Sequence, residues 1–304
     1  MRVAAISAFG PPEVLRTAEA VEPYAGAGEV RIRVKAAGVQ PFDCKARAGL
    51  IPFVKSAGFP LVPGNEFSGV VDQVGEGVDT FAEGDDVLGF GVLNGYAEYL
   101  TIPADQIVRK PDTMPWDIAA GLSGNGQGAH MALRELEVGP GDTVLINGAA
   151  GGLGTLAVQV AKAWGATTVI GTASKANHDY LRELGAVPVE YGVGLADRVR
   201  ALAPDGVDAA LDSAGGDGLR ALAEVTKDRN RVLTMVDVDT AKELGLREWT
   251  PVRSAARLAE LVDLYEAGRL TVHLRATYPL ERAADAHRDV ETGHGRGKVV
   301  LTIG

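Results

Sequence analysis

The sequence carries one cysteine, Cys44, in 304 residues. A single thiol excludes intrachain disulfides and a four-cysteine structural zinc lobe, so Cys44 reads as an ordinary reduced thiol. Positive charge is also in short supply: 30 Lys and Arg stand against 40 Asp and Glu, a net charge of −10, and no basic run interrupts that balance. Nucleic acids and anionic membranes are therefore poor partners for this surface. No apolar run reaches the roughly 20 residues that cross a bilayer, and the start "MRVAAISAFG" has neither the apolar core nor the cleavage pattern of a secretory signal. The expected location is the cytoplasm. Internal repeats and low-complexity segments are absent.

What is present is enough apolar material, 46% of the chain, for about two packed domains. Up to about residue 110 the chain reads as short β-branched or apolar runs bounded by Gly, Pro and Asp, among them "VRIRVKAAGV", "SGVVDQVGEGV", "DDVLGF" and "AEYLTIP". That texture predicts a compact barrel or sandwich. From about residue 117 strands alternate with alanine-rich helical patterns, the mark of a parallel sheet with crossover helices. The closing "KVVLTI" predicts a strand that returns to pair with the first domain. The expected division is residues 1–116 with 268–304, and residues 117–267. "FVKSAGFPLVPG" reads as a mobile loop beside a cleft.

A strand over Thr143 to Asn147 runs into Gly148, Gly151, Gly152 and Gly154, and a helix follows with Ala157, Val160, Ala161 and Trp164 on one face. Between a strand and a helix, such glycines let backbone amides approach a pyrophosphate while the helix N-terminus favours negative charge. Ala149 replaces the leading glycine of the usual fingerprint, and Ala150 and Leu153 fill the turn. About twenty residues on, where a carboxylate would hold the ribose of NAD, the chain reads "GTASKANHDY": Thr172, Ser174 and Lys175 precede any acid. This favours a 2′-phosphate and hence NADPH over NADH. Tyr191, after the next apolar run, reads as an adenine or phosphate contact or as a core tyrosine. The strand ends in "GVDAALDSAGG" and "RVLTMVD" add Ala214, Gly215, Met235 and Val236 to the cofactor set, because ligands in open α/β sheets bind at such ends. Lys298, in "GHGRGKVVLTIG", is assigned to the same set.

These motifs, with "AAGVQPFDCKARAG", "PGNEFSGVVDQVGEGVDTFAEGDDVLGF", "GYAEYLTIP" and "NGAAGGLGTLAVQVAKAWGA", fall in one order over essentially the whole chain. In that order the chain resembles the medium-chain dehydrogenase/reductase superfamily, in its zinc-free quinone oxidoreductase and enone (alkenal) reductase branch. The resemblance implies an α/β fold: a Rossmann-type doubly wound parallel sheet plus a GroES-like, mostly β, barrel-like catalytic domain forming the other wall of the cleft. It also implies a homodimer. Zinc-dependent members carry cysteine where Gln40 stands and histidine where Asn65 stands. Amides are not the thiolate, imidazole and carboxylate from which zinc sites are built. The five histidines, at 130, 178, 273, 287 and 294, make no cysteine–histidine cluster.

The resemblance implies zinc-independent hydride delivery from NADPH to a small-molecule quinone or to the β-carbon of an α,β-unsaturated carbonyl, with a hydrogen-bond donor stabilising the enolate. Gln40, Lys45 and Tyr96 are the candidates for that donor, against readings as a turn amide, a surface charge and a packing aromatic. Asp43 is expected to hold backbone amides of its turn. Where relatives carry a threonine before the nucleotide fold, this chain has Gly128 in "SGNGQGAHMAL", so that Asn125 or Gln127 compensates or the added glycines widen the pocket. The segment after "RVLTMVD" is short for the family. Two other functions fit the same residues: a tailoring enoyl reductase of secondary metabolism, and a redox-silent NADPH sensor or RNA-binding protein on the same fold, the RNA arm disfavoured by charge.

Overall fold

The turn-punctuated runs of the first domain form antiparallel strands organised around one long element, Glu29–Val39. In its first half Val30, Ile32 and Val34 face the core while Arg31 and Arg33 point away, the alternation of a half-buried strand; Ala36 to Val39 are then buried in succession. Glu66–Val74 pairs along it with two register shifts, which bend and twist the pair. Its opposite edge is shared: Tyr99–Pro103 takes the first half and the returning strand Lys298–Thr302 takes the second, both antiparallel. The sheet continues through Asp86–Phe90 to Ile107–Arg109 on one side and through Leu274–Pro279 on the other. Val30, Ile32, Phe67, Val71, Val87 and Leu301 form the middle of its core.

The second domain is a five-stranded parallel sheet in the order Val187–Glu190, Thr168–Ala173, Thr143–Asn147, Ala209–Asp212, Val232–Thr234. Counted along the chain this is 3-2-1-4-5, so winding reverses between Thr143–Asn147 and Ala209–Asp212, and the ligand crevice of such a sheet lies at their carboxyl ends. The structure, a computed structural model, describes residues 1–293 and 295–304; His294 lies outside the described residues. By Cα proximity the chain separates into Met1–Gly124 with Ser254–Asp263 and Val272–Gly304, and Asn125–Arg253 with Leu264–Thr271. The first division falls inside the helix Trp116–Glu135.

The glycines after Asn147 have separate structural reasons. Gly148 has φ +73°, a left-handed conformation that a side chain strains. Gly154, in the first turn of the helix Gly152–Ala163, has no room for a Cβ, which would stand 2.3 Å from the Gly148 carbonyl oxygen and 2.6 Å from Ala149 Cα. Ala149 is accommodated because Gly171, across from it on the next strand, lacks a side chain: a Cβ there would lie 2.8 Å from that of Ala149. Helix and sheet thus meet at backbone distance, and Gly154→Ala is expected to cost about 1–3 kcal/mol by overpacking. Chemical denaturation with unchanged m-value would show it, and an unshifted midpoint would contradict the close approach.

Candidate functional site

At the sheet's reversal point a buried polar network fixes the glycine turn. Asp212, fully buried, accepts hydrogen bonds from Asn147 Nδ2 (2.8 Å), the backbone N–H of Ala214 (3.1 Å) and Gly215 (2.9 Å), and Thr234 Oγ1 (2.6 Å). Asn147 Oδ1 in turn accepts from the Thr172 hydroxyl at 2.6 Å, and that hydroxyl accepts from Gly148 N–H at 3.0 Å. Ends of four neighbouring strands are therefore linked in one chain of hydrogen bonds. Thr172 is buried and engaged on both sides, so it shapes the turn and offers nothing to a 2′-phosphate, contrary to its sequence reading. Asn147 and Asp212 escaped the sequence analysis, although the polar ends of "TVLIN" and "AALD" are their signal.

The turn itself fits a dinucleotide pyrophosphate. Gly148, Gly151 and Gly152 are half-buried, and Gly152, Leu153 and Gly154 open a helix of 12 residues whose first amides have no carbonyl one turn back. Beyond the next strand, Ser174 is half-buried and the Lys175 side chain is 80% exposed, its ammonium 3.5 Å from Glu190. Such an exposed pair is weak and easily exchanged for a phosphate. Tyr191 is 54% exposed, which removes the core reading and leaves its ring open to a ligand. Arg198 holds this loop by donating to the carbonyls of Glu190, Tyr191, Gly192 and Val193, a role no motif announced. Ala214 and Val236 are exposed, Gly215 and Met235 half-buried. At Gly128 a Cβ would meet Leu153 Cδ1 at 3.2 Å and Met235 Cε at 3.4 Å, so the missing side chain is filled by neighbours. Gln127 is buried and Asn125 half-buried.

In the first domain the short helix Pro41–Arg47 brings Gln40, Asp43 and Asn65 together. Asp43, fully buried, accepts from Gln40 N–H at 2.9 Å and from Asn65 Nδ2 at 3.3 Å, as the sequence reading of a turn-holding acid expects. Burial pushes its carboxyl up to about 7; the Gln40 N–H opposes the shift and the Glu66 charge adds to it. Gln40 is 8% exposed, and its buried Nε2 has no hydrogen-bond partner. Glu66, next to Asn65, is fully buried and holds Lys298 Nζ at 2.5 Å and the Gly124 N–H at 2.5 Å. Lys298 is 3% exposed, so its ammonium is committed to a carboxylate. Among the described residues no group of three or more His, Cys, Asp or Glu is placed to hold a metal ion.

The other two catalytic candidates are Tyr96 and Lys45. Tyr96 is completely buried with its hydroxyl 3.2 Å from His287 Nε2, and burial raises its pKa well above the ordinary phenol range. Buried and engaged by His287, Tyr96 takes the packing role that its second reading expects and is withdrawn as a donor. His287 is neutral, pushed down to about 3 by burial and by the charge of Arg47. Lys45 is exposed on its helix. Cys44 is buried, and burial pushes its thiol up, as suits an inert thiol.

Two outcomes are expected from these pairs. Lys298→Met leaves Glu66 buried and unpaired and should destabilise the fold by about 3–5 kcal/mol, with Lys298→Met/Glu66→Gln recovering part of the loss in thermal unfolding; equal stability of all forms would show the pair to be solvated. For Asp43 the folded pKa of about 7 lies above the unfolded value near 3.9, so the native state retains a proton that the unfolded chain releases. Wild-type stability relative to Asp43→Asn should therefore fall as pH rises from about 4 to about 7 and level off above. A pH-independent difference would contradict the buried carboxyl.

Residues 26–112 match the alcohol dehydrogenase GroES-like domain, and residues 184–301 match the zinc-binding dehydrogenase family, a stretch that includes neither Gln40 nor Asn65. A quinone oxidoreductase from Coxiella burnetii is 32% identical with TM-score 0.89, covering 100% of this chain and 99% of that one. An NAD-dependent alcohol dehydrogenase is 30% identical with TM-score 0.89, each chain covered in full. A mycobacterial protein complexed with NADPH is 31% identical with TM-score 0.85, covering 99% of this chain and 100% of that one. With the parallel sheet, the glycine turn and the GroES-like domain in place, the chain belongs to the medium-chain dehydrogenase/reductase superfamily of oxidoreductases, in its quinone oxidoreductase branch, and carries that superfamily's NAD(P)-binding fold.

Proposed function

We propose that the protein is an NADPH-dependent reductase of quinones or of the C=C bond of α,β-unsaturated carbonyls, working without zinc. The observation that carries this reading is the Gln40 carboxamide, buried with an unpartnered Nε2, in a turn whose Asp43 also accepts from the Asn65 amide. Carboxamides are poor zinc ligands and good hydrogen-bond donors, so this turn suits a developing oxyanion better than a metal. NADPH, when bound, supplies a hydride to the electron-poor carbon. Gln40 Nε2 donates to the oxygen on which negative charge collects, and water delivers the proton that completes reduction. Neither Tyr96 nor His287 takes part, because each is engaged with the other in the core.

Ser174, Lys175 and Tyr191 support NADPH as the cofactor, held at its 2′-phosphate, with the amides at Gly152 and Leu153 on the pyrophosphate. The similarity to an NAD-dependent alcohol dehydrogenase makes the opposite preference the natural competitor. A homodimer follows from branch membership and belongs to this reading.

Steady-state oxidation of NADPH and NADH by chelated protein, with a small enone, an ortho-quinone and a para-quinone, tests it directly. Turnover is expected with NADPH, and Lys175→Glu should lower kcat/KM for NADPH by about tenfold while sparing NADH, the size of one charge-assisted phosphate contact. Gln40→Ala should lower kcat by about 10²–10³ with little change in NADPH affinity. Oxidation of a simple alcohol that chelation abolishes would sink the proposal, and tight NADPH binding without turnover would favour a sensor.

A further inference from the structure

We infer that Gly124 is the positioning residue for the Gln40 amide: by having no side chain, it leaves the space in which that amide stands. The inference rests on the reading of Gln40 as the oxyanion donor. Gly124 lies inside the helix Trp116–Glu135, where glycine is less favourable than alanine, and its φ is not in the left-handed region. The backbone therefore gives no reason for glycine at this point. The surroundings do: a Cβ at Gly124 would stand 1.5 Å from Gln40 Nε2, 2.6 Å from its Cδ and 3.1 Å from its Oε1. All three nearest atoms belong to one carboxamide.

Both backbones at this contact are pinned, so neither can retreat. The Gly124 N–H is bound to Glu66 Oε2, and the other oxygen of that buried carboxylate holds Lys298. On the facing side the Gln40 N–H is bound to Asp43 and its carbonyl accepts from Asp43 and Cys44 N–H. Only the side-chain torsions of Gln40 are free to yield. A methyl group at 124 would leave the fold intact and redirect the amide, and displacement of a catalytic donor by about 1 Å is enough to lower turnover by one to two orders of magnitude. Removing the amide removes the conflict, so the two positions should be coupled.

The test is a cycle of wild type, Gly124→Ala, Gln40→Ala and the double variant, read by kcat on the quinone or enone, by the Kd of NADPH and by Tm. Gly124→Ala is expected to lower kcat at least about tenfold with NADPH affinity held within roughly twofold, and to have no effect on kcat in the Gln40→Ala background. Its Tm should rise in that background, where alanine improves the helix unopposed, and rise less or fall beside Gln40. Full activity of Gly124→Ala, or an equal loss in both backgrounds, overturns the assignment. Should Gln40→Ala keep wild-type kcat, the donor reading fails by itself; the Tm cycle then judges the contact, and an equal Tm change in both backgrounds overturns it.

Discussion

A carboxylate with no exposure must be surrounded by donors, and the cofactor half of this protein depends on how Asp212 meets that requirement. Its four hydrogen bonds come from the end of one neighbouring strand, from its own following turn and from the end of the strand on its other side. Asn147, held on one side by Asp212, is free to take the Thr172 hydroxyl on the other, and that hydroxyl caps Gly148 N–H at the start of the glycine turn. The Thr234 hydroxyl, after donating to Asp212, accepts from Val236 and Asp237 N–H. The backbone around the crevice is thus set by a single satisfied network at the point where the sheet reverses its winding.

The first domain solves the same problem with a different set of groups. Glu66 and Asp43 are both fully buried, and each is satisfied: Glu66 by Lys298 and the Gly124 N–H, Asp43 by the Gln40 N–H and the Asn65 amide. The donor that remains unmatched in this group is Gln40 Nε2. Leaving one buried donor unpaired costs stability of order 1–3 kcal/mol, and such a deficit is tolerated where a transient partner, here the proposed oxyanion, completes it.

Much of this was legible in the sequence because it depends on local pattern. Alternation over Val30 to Val34, the strand–glycine–helix run from Thr143, and the apolar "KVVLT" each appear as the expected element, and the last does pair with the first domain. What could not be read depends on partners remote in the chain. Tyr96 reads both as a substrate-facing donor and as a packing aromatic, and what decides for packing is His287, 191 residues away, which its hydroxyl meets. Thr172 reads as available for phosphate, but its hydroxyl is taken by Asn147 and by the Gly148 N–H. The glycines at 124 and 128 looked like added volume, whereas Gln40 fills the first space and Leu153 with Met235 fills the second. A side chain's absence is visible in a sequence, but the group that occupies its place is not.

The central claim is that a hydride passes from NADPH to carbon without a metal. The measurement that meets it most directly is the mass and position of label in the product when chelated protein reduces a small enone with NADPH dideuterated at nicotinamide C4. The account predicts one deuterium on the β-carbon of a saturated ketone. An unlabelled product, or deuterium on the carbonyl carbon of an alcohol formed only when zinc is restored, would contradict it.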